Sequence, residues 1–286
     1  MSRQYAKVTV HLPEEYHELV ASLIDDPAFR GAESQAEQLH LWFEHNSNVT
    51  ARWEKFIEQC LHRLHIPVGQ ITTENVPSVD WYEAWQATLQ PVVIDQRLLI
   101  VPWHERKDNA LADYRYPLVI TIEPRMAFGT GHHPTTQMCA LLLLDTVRPN
   151  EDWLDVGCGS GVLAIIAAKL GAKRVLAIDS DPDAITECQD NVARNCCLST
   201  VECYVADIFT YKSPKMDGIV ANLYDTLLER LAGSFAQWIR SGGHAIVSGI
   251  LTSQADTVVH AFRNAGFELD RQLRTDEWTA FRFVRL

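Results

Sequence analysis

Three alternating glycines occur in the run Leu154-Asp155-Val156-Gly157-Cys158-Gly159-Ser160-Gly161, between an apolar stretch and a segment with helical periodicity. Glycine lets a backbone turn sharply and come close to a ligand, because it has no Cβ. The run therefore predicts a strand, a tight turn and a helix, with the turn lying against a bound small molecule.

Strand and helix patterns alternate from about residue 126 to the C-terminus. Such alternation is typical of an α/β fold, in which helices cover both faces of a mainly parallel sheet. The predicted helices are Thr136–Thr146, Val162–Leu170, Pro182–Asn195, Thr226–Trp238 and Gln254–Ala265. The predicted strands are Glu151–Val156, Arg174–Ile178, Val201–Val205, Gly218–Ala221, Ala245–Ser248, Phe267–Arg271 and Thr279–Arg285.

The pattern of residues 1–76 predicts a separate small α+β unit. That of residues 77–125 predicts a linker of one helix and short strands. The small unit has strand patterns at Lys7–Leu12, Leu39–Glu44 and Gly69–Asn75, with helical patterns after Pro13 and at Val49–Leu64. This succession resembles half of a ferredoxin-like sandwich. The linker has strand patterns at Val92–Ile94, Leu98–Val101 and Leu118–Ile122.

The charge of the chain favours a basic partner. The formal net charge is −12, and residues 1–76 alone hold 6 Lys+Arg against 11 Asp+Glu. A protein that grips bare nucleic acid usually shows a basic surface, so we expect no direct nucleic-acid binding. The seven cysteines lack disulfide or metal-site spacing, which favours a reducing compartment and no metal. We expect a cytoplasmic monomer without membrane segments.

The acid before the glycines indicates the kind of ligand. The spacing G-x-G-x-G differs from the G-x-G-x-x-G of dinucleotide-binding proteins, and Asp155 would repel a pyrophosphate. A carboxylate pairs instead with an ammonium group, which S-adenosylmethionine has. Asp179 ends the next predicted strand and is expected to accept hydrogen bonds from the ribose hydroxyls, or else to cap a helix. Asp207 is expected to contact the adenine amino group, or else to be a turn residue.

Asn222 ends the fourth predicted strand, next to the topological switch point where α/β sheets carry their chemistry. Its side-chain oxygen could accept a hydrogen bond from an amine and direct the nitrogen lone pair toward a methyl carbon. We therefore interpret Asn222 as the catalytic residue, with a turn asparagine as the alternative. Tyr224 is either a pocket wall or a core residue.

Several motifs together resemble the ribosomal protein L11 methyltransferase family. Its signature M-A-F-G-T-G-x-H-P-T-T corresponds to Met126–Thr136, and its D-W-x-x-x-W to Asp80–Trp85. Further matches are Ala221–Tyr224, Ser248–Leu251 and Glu277-Trp278. The resemblance is strong over residues 80–286 and weak over the first 76.

The resemblance implies a class I, Rossmann-like methyltransferase sheet of seven strands in the order 3-2-1-4-5-7-6, with the last strand antiparallel. It also implies a small N-terminal recognition domain, and methyl transfer to lysine amines of ribosomal protein L11, with its N-terminal amine as a further candidate. Together with the glycine run, it gives as residues contacting the cofactor Phe128, Gly129, Thr130, Thr136, Asp155, Gly157, Gly159, Gly161, Asp179, Asp207 and Asn222.

Other functions stay open at this point. The same motifs would suit a methyltransferase of a different protein and, less well, one of RNA or a small molecule. A module that binds S-adenosylmethionine without catalysis is the alternative from another class. No side chain is a clear general base. His132 and His133 are candidates, although a structural role in the loop suits His133 better.

Overall fold

The computed structural model of the chain describes residues 4–22, 24, 28–44, 55, 57–59, 61, 62, 69–77, 88–103, 116–125 and 127–286. Contacts divide the chain into two compact units, Met1–Thr88 and Leu89–Leu286. The motif Asp80–Trp85, Met126 and most of the predicted helix Val49–Leu64 lie outside the described residues. Within the described part, no helix combines the length and apolar character needed to span a bilayer.

The N-terminal unit is built on an antiparallel sheet in the order β2-β3-β1-β4. Its elements are β1 (Gln4–His11), α1 (His17–Ser22), β2 (Phe29–Gln35), β3 (Gln38–Glu44) and β4 (Ile71–Pro77). Val8 of β1 pairs with Leu41 of β3, and both side chains are fully buried. The strands and helix predicted here are confirmed, and β2 is an additional strand that the sequence pattern did not reveal.

The first helix differs from its prediction in one respect. Pro13 opens a 3-10 turn at Glu14–Tyr16 before α1 begins. The helical pattern after Pro13 predicts Leu19 and Val20 on one apolar face, but Val20 is buried and Leu19 is exposed. The short turn rotates the helix relative to a continuous one, because 3-10 and α-helices differ in the rotation per residue.

A three-stranded sheet begins the larger unit and packs against its main core. It consists of β5 (Val92–Ile94), β6 (Leu98–Pro102) and β7 (Leu118–Ile122). Strand β6 pairs antiparallel with β5 and parallel with β7. Ile100, Ile120 and Ile122 are buried in the core of the larger unit. All three strands were predicted from the sequence.

A seven-stranded sheet forms the centre of the larger unit. Its strands are β8 (Asp152–Val156), β9 (Arg174–Asp179), β10 (Val201–Val205), β11 (Met216–Asn222), β12 (Ile239–Leu251), β13 (Phe267–Arg274) and β14 (Trp278–Arg285). The helices of this unit are α2 (Pro134–Thr146), α3 (Val162–Lys169), α4 (Pro182–Arg194), α5 (Asp225–Trp238) and α6 (Ala255–Asn264).

The strand order is β10-β9-β8-β11-β12-β14-β13, and β14 is antiparallel to both of its neighbours. Numbered within this sheet, the order is 3-2-1-4-5-7-6, so the prediction is confirmed. One face buries Leu142 of α2 and Ile165 of α3, and the other buries Leu231 of α5 and Phe262 of α6. The order reverses between β8 and β11, and the carboxyl ends of parallel strands at such a switch point form a ligand crevice.

Candidate active site

The glycine run turns the chain between β8 and α3 at the carboxyl edge of the sheet. Gly157, Gly159 and Gly161 have φ values of 68°, 50° and 81°, in the left-handed region that favours glycine. A Cβ on Gly159 would lie 2.4 Å from the carbonyl oxygen of Phe128. The turn therefore requires glycine both for its backbone angles and for the close approach of a second segment.

Asp155 lies beneath this turn and is only 1% exposed. Its Oδ2 accepts a hydrogen bond of 2.9 Å from the backbone N–H of Ala164, in the first turn of α3. Its Oδ1 is buried and has no hydrogen-bond partner among the described residues. The pKa of Asp155 is raised to about 7, mainly by burial and to a lesser extent by the nearby Asp179, although the N–H of Ala164 lowers it. An unpaired buried acceptor of this kind suits a cationic donor such as an ammonium group.

Asp179 ends β9 and holds the glycine turn from the side. Its Oδ2 accepts the N–H of Gly159 at 3.0 Å, and its Oδ1 accepts the N–H of Asp181 at 3.0 Å. The carboxylate is therefore oriented by two backbone groups. Each of its oxygens can accept one further hydrogen bond, so the carboxylate can accept hydrogen bonds from two vicinal hydroxyl groups.

Asp207 follows β10 and is exposed. The backbone N–H of Ala206 donates to the carbonyl oxygen of Asp179 at 2.8 Å, which joins the ends of β9 and β10. Oδ1 of Asp207 accepts the N–H of Phe209 at 2.9 Å, as in an Asx turn. Asp207 is thus a turn residue in this structure, and its contact with adenine stays a prediction.

Residues 127–131, which we call the cover loop, lie on the glycine run. Ser160 donates through its backbone N–H to the carbonyl oxygen of Phe128 at 2.9 Å, and through its Oγ to that of Gly129 at 2.7 Å. Phe128 is 56% exposed. The cover loop is therefore fastened by its backbone while an aromatic ring is presented to solvent. Ser160 was not singled out from the sequence, although it lies within the glycine run.

Asn222 ends β11 and contacts the start of α2. Its Nδ2 donates to Oγ1 of Thr135 at 3.1 Å and to Oγ1 of Thr136 at 3.3 Å. Both threonines are buried. Thr136 was predicted as a cofactor contact, whereas Thr135 was missed. The Thr-Thr pair at the helix start was the only signal that could have indicated it.

The protons of this cluster can be assigned from His133. Its Nδ1 accepts the backbone N–H of Thr135 and lies 2.6 Å from the Thr135 hydroxyl. Burial lowers the pKa of His133 and favours the neutral ring. An accepting Nδ1 carries no proton, so the hydroxyl donates to it and in turn accepts from Asn222. The amide is thereby oriented with its Oδ1 away from the threonines.

The two candidate bases have structural partners. His133 caps the N-terminus of α2 through its accepting Nδ1, and the proton of the neutral ring lies on Nε2. Nδ1 could take up a second proton only if the cap were broken, which makes His133 unsuitable as a base. Nε2 of His132 donates to the carbonyl oxygen of Gln90 at 2.9 Å, and its Nδ1 lies 3.2 Å from the Thr130 hydroxyl. These contacts favour the structural interpretation of both histidines.

The backbone after Asn222 is fixed by a bulge in β12. Leu223 donates its N–H to the carbonyl oxygen of Ser248 at 2.9 Å, and a Cβ on Gly249 would lie 2.5 Å from the carbonyl oxygen of Leu223. Gly249 has a φ of 86°. Tyr224 is 72% exposed, which excludes the core alternative for that residue. The sheet edge therefore presents Asn222 on rigid backbone beside the glycine turn.

Comparison with known proteins agrees with this geometry. The family model described as ribosomal protein L11 methyltransferase (PrmA) matches residues 6–285. A ribosomal protein L11 methyltransferase of Heliobacterium modesticaldum is 40% identical over 218 residues, which span 75% of this chain and 66% of that protein. One from Thiobacillus denitrificans is 39% identical over 208 residues, 72% of this chain and 67% of that protein.

A solved structure is also similar. The ribosomal protein L11 methylase of Lactobacillus delbrueckii subsp. bulgaricus superposes with a TM-score of 0.61 at 29% identity, covering 69% of this chain and 98% of that chain. The fold, the motifs and a family match over nearly the whole length agree. This chain belongs to the ribosomal protein L11 methyltransferase family.

Proposed function

We propose that this chain transfers methyl groups from S-adenosylmethionine to amine nitrogens of ribosomal protein L11, with lysine side chains as the main acceptors. The observation that carries this proposal is the oriented amide of Asn222. Its Nδ2 is committed to Thr135 and Thr136, which leaves Oδ1 to accept a hydrogen bond from an incoming amine. Family membership supplies the reaction class and the substrate.

The cofactor is proposed to lie along the carboxyl ends of β8 to β11. When bound, S-adenosylmethionine supplies a methyl group on a sulfonium sulfur. The glycines 157, 159 and 161 permit close approach of its amino-acid part, Asp155 and Asp179 offer acceptors for its ammonium and ribose groups, and Asp207 lies at the adenine end. Phe128, Gly129, Thr130 and Thr136 would cover it from the side of α2. The orphaned Oδ1 of Asp155 supports this fit.

The protein's contribution to the chemistry is to orient and desolvate the amine. A lysine amine has a pKa of about 10.4 in water and must be neutral to attack. A partly apolar pocket lowers that pKa, because it disfavours the charged form. Asn222 Oδ1 accepts an N–H of the neutral amine and so directs its lone pair. The amine's proton leaves to solvent, since no general base is proposed.

Charge supports a basic protein as the substrate. The chain has a net charge of −12, and opposite charges steer encounter. We propose residues 1–76 as the recognition domain, 77–125 as the linker and 126–286 as the catalytic domain. The cytoplasmic location, the monomeric state and the absence of direct contact with nucleic acid or membrane stay predictions.

Intact-mass spectrometry tests the proposal directly. Purified chain is incubated with S-adenosylmethionine and ribosomal protein L11, and L11 is weighed and then digested to locate the modified residues. We expect mass gains in steps of one methyl on lysine, absent with Asn222→Ala. If L11 stays unmodified while S-adenosylhomocysteine still binds, the substrate is another protein. Binding without turnover on any amine would favour the non-catalytic module.

A calorimetric prediction tests the role of Asp155. The folded carboxyl keeps its proton up to about pH 7, against about 4 in an unfolded chain, so its contribution to stability is complete below about pH 4 and lost as the pH rises through 7. An ammonium at Oδ1 would lower this pKa. Binding of S-adenosylhomocysteine at about pH 6.5 is therefore expected to release protons from wild type.

Proton release is measured by titration calorimetry in buffers that differ in ionisation enthalpy. Asp155→Asn is the matched control, since it keeps the shape of the side chain and cannot ionise. The variant should release fewer protons than wild type at the same pH. Equal release by the two proteins would contradict an ammonium site at Asp155.

A further inference from the structure

The extended segment that leads into the cover loop is held by side chains of one helix. The backbone N–H of Thr121 donates to Oδ1 of Asn195 at 2.9 Å, and that of Glu123 to Oδ1 of Asn191 at 2.9 Å. The N–H groups of Arg125 and Ala127 donate to Oε1 and Oε2 of Glu187 at 3.2 and 3.0 Å. The N–H groups of alternate residues thus find acceptors on α4 and on its C-cap residue Asn195, and not on a neighbouring strand.

The three acceptor residues are spaced four apart, so Glu187 and Asn191 share one face of α4 and Asn195, the C-cap residue, continues it. Glu187, Asn191 and Asn195 are 3%, 0% and 5% exposed. Nδ2 of Asn191 also donates to the carbonyl oxygen of Ser160 at 3.0 Å, which ties the same helix face to the glycine turn. This helix face therefore holds both the glycine turn and the segment that leads into the cover loop.

We propose that Glu187 is a positioning residue for methyl transfer, whose ionised carboxylate fixes Ala127 and thereby holds the cover loop over the cofactor. This inference rests on the proposed contact of Phe128, Gly129 and Thr130 with the cofactor. Of the three acceptor residues, Glu187 is the one that contacts the cover loop, because its Oε2 accepts the N–H of Ala127, the first residue of the loop. Asn191 and Asn195 hold the earlier part of the segment.

The charge state of Glu187 controls this contact. The pKa of Glu187 is raised to about 7, mainly by burial and to a lesser extent by Glu123, although the N–H groups of Ala127 and Arg125 and the Arg125 guanidinium lower it. A protonated carboxyl would put an O–H on an oxygen that must receive an N–H. The loop contact is therefore complete only in the ionised form, and it strengthens as the pH rises through about 7.

Other charged groups around Glu187 neutralise one another. Arg125 pairs with Asp190 of α4 at 2.7 Å and with Glu123 at 2.6 Å, and Arg194 of α4 pairs with Glu123 at 2.5 Å. Asp190 is 44% exposed and makes no contact with the cover loop in these interactions. Asp190→Asn is thus a control on the same helix that removes a carboxylate without touching the N–H of Ala127.

Amide hydrogen exchange tests the positioning independently of activity. Peptides covering residues 125–131 are compared among wild type, Glu187→Gln and Asp190→Asn at about pH 8. The amide of Gln can serve only one of the two N–H groups. We expect exchange about tenfold faster in Glu187→Gln alone, as for loss of one hydrogen bond to a charged acceptor. Equal exchange in all three proteins would overturn the proposal.

Binding of S-adenosylhomocysteine provides the functional readout. Its Kd should rise about tenfold in Glu187→Gln at about pH 8, and the ratio to wild type should approach one at about pH 6, where wild type is itself protonated. Asp190→Asn should follow wild type. A ratio that does not depend on pH would contradict control by the ionised form.

The outcomes separate this inference from the proposed function. If wild type leaves L11 unmodified but Glu187→Gln alone exchanges faster, the substrate proposal fails and the positioning stands. If Glu187→Gln does not fold, the pH dependence of amide exchange in wild type tests the proposal instead. Exchange at residues 125–131, corrected for its intrinsic pH dependence, should slow between about pH 6 and pH 8, and an unchanged corrected rate would contradict the proposal.

Discussion

Replacing Asn222 with alanine is expected to lower kcat for methyl transfer at least about 100-fold, while the Kd of S-adenosylhomocysteine changes by less than about tenfold. The reason is that the nitrogen and the oxygen of the Asn222 amide have different roles. Nδ2 is fixed by Thr135 and Thr136, so Oδ1 is the end that can orient the amine. Alanine removes that acceptor and leaves the backbone of β11 in place.

Single-turnover kinetics with L11 measures the rate of methyl transfer, and calorimetry measures the Kd of S-adenosylhomocysteine. Asn264→Ala is the matched control, because Asn264 is an exposed asparagine at the end of α6, and its kcat should equal that of wild type. A variant Asn222→Ala that turns over normally while it binds cofactor would show that Asn222 does not orient the amine.

Gly159→Ala is expected to abolish tight cofactor binding and to destabilise the larger unit. A Cβ at this position would lie 2.4 Å from the carbonyl oxygen of Phe128, and that oxygen is held by the backbone N–H of Ser160 at 2.9 Å. The φ of 50° adds about 1–2 kcal/mol for a residue with a side chain. The cover loop or the glycine turn must shift, so we expect the Kd of S-adenosylhomocysteine to rise about 100-fold.

Gly233→Ala is the control for this substitution. Gly233 is exposed in α5, and a Cβ there would meet nothing within 4 Å. Alanine should therefore stabilise the helix by about 0.5–1 kcal/mol and leave binding unchanged. Thermal unfolding and calorimetry measure both variants. Wild-type affinity in Gly159→Ala would mean that the glycine turn is not the cofactor site.

Sequence patterns predicted most of the larger unit. Strands β5, β7 and β10 have the predicted bounds Val92–Ile94, Leu118–Ile122 and Val201–Val205. These segments are short and are bounded by polar or turn residues, so the local pattern defines both ends. The order of the seven strands came from the family resemblance, since local patterns do not specify which strands are neighbours.

Two strands show what local patterns do not contain. Strand β2 (Phe29–Gln35) was missed because its residues are only partly buried or exposed, and a weakly buried strand has little hydrophobic alternation. Strand β12 begins at Ile239, six residues before its prediction at Ala245. Its first part contains Ser241, Gly242 and Gly243, a composition typical of a loop, and it joins the sheet through the pairing of Ile239 with Met216 of β11.

The sequence by itself determined the alternation of strands and helices, the glycine turn, the acid that ends β9 and the acid that follows β10, because these depend on short-range periodicity and on residue types. Only the tertiary structure decided how the polar groups are paired. Glu187, Asn191 and Asn195 have the spacing of a solvated helix face, yet they are buried because their acceptor oxygens satisfy backbone N–H groups 60 to 74 residues away. Likewise, the amide orientation of Asn222 depends on hydroxyls 86 and 87 residues distant. Hydrogen bonds between segments so far apart leave no periodic signal in the chain.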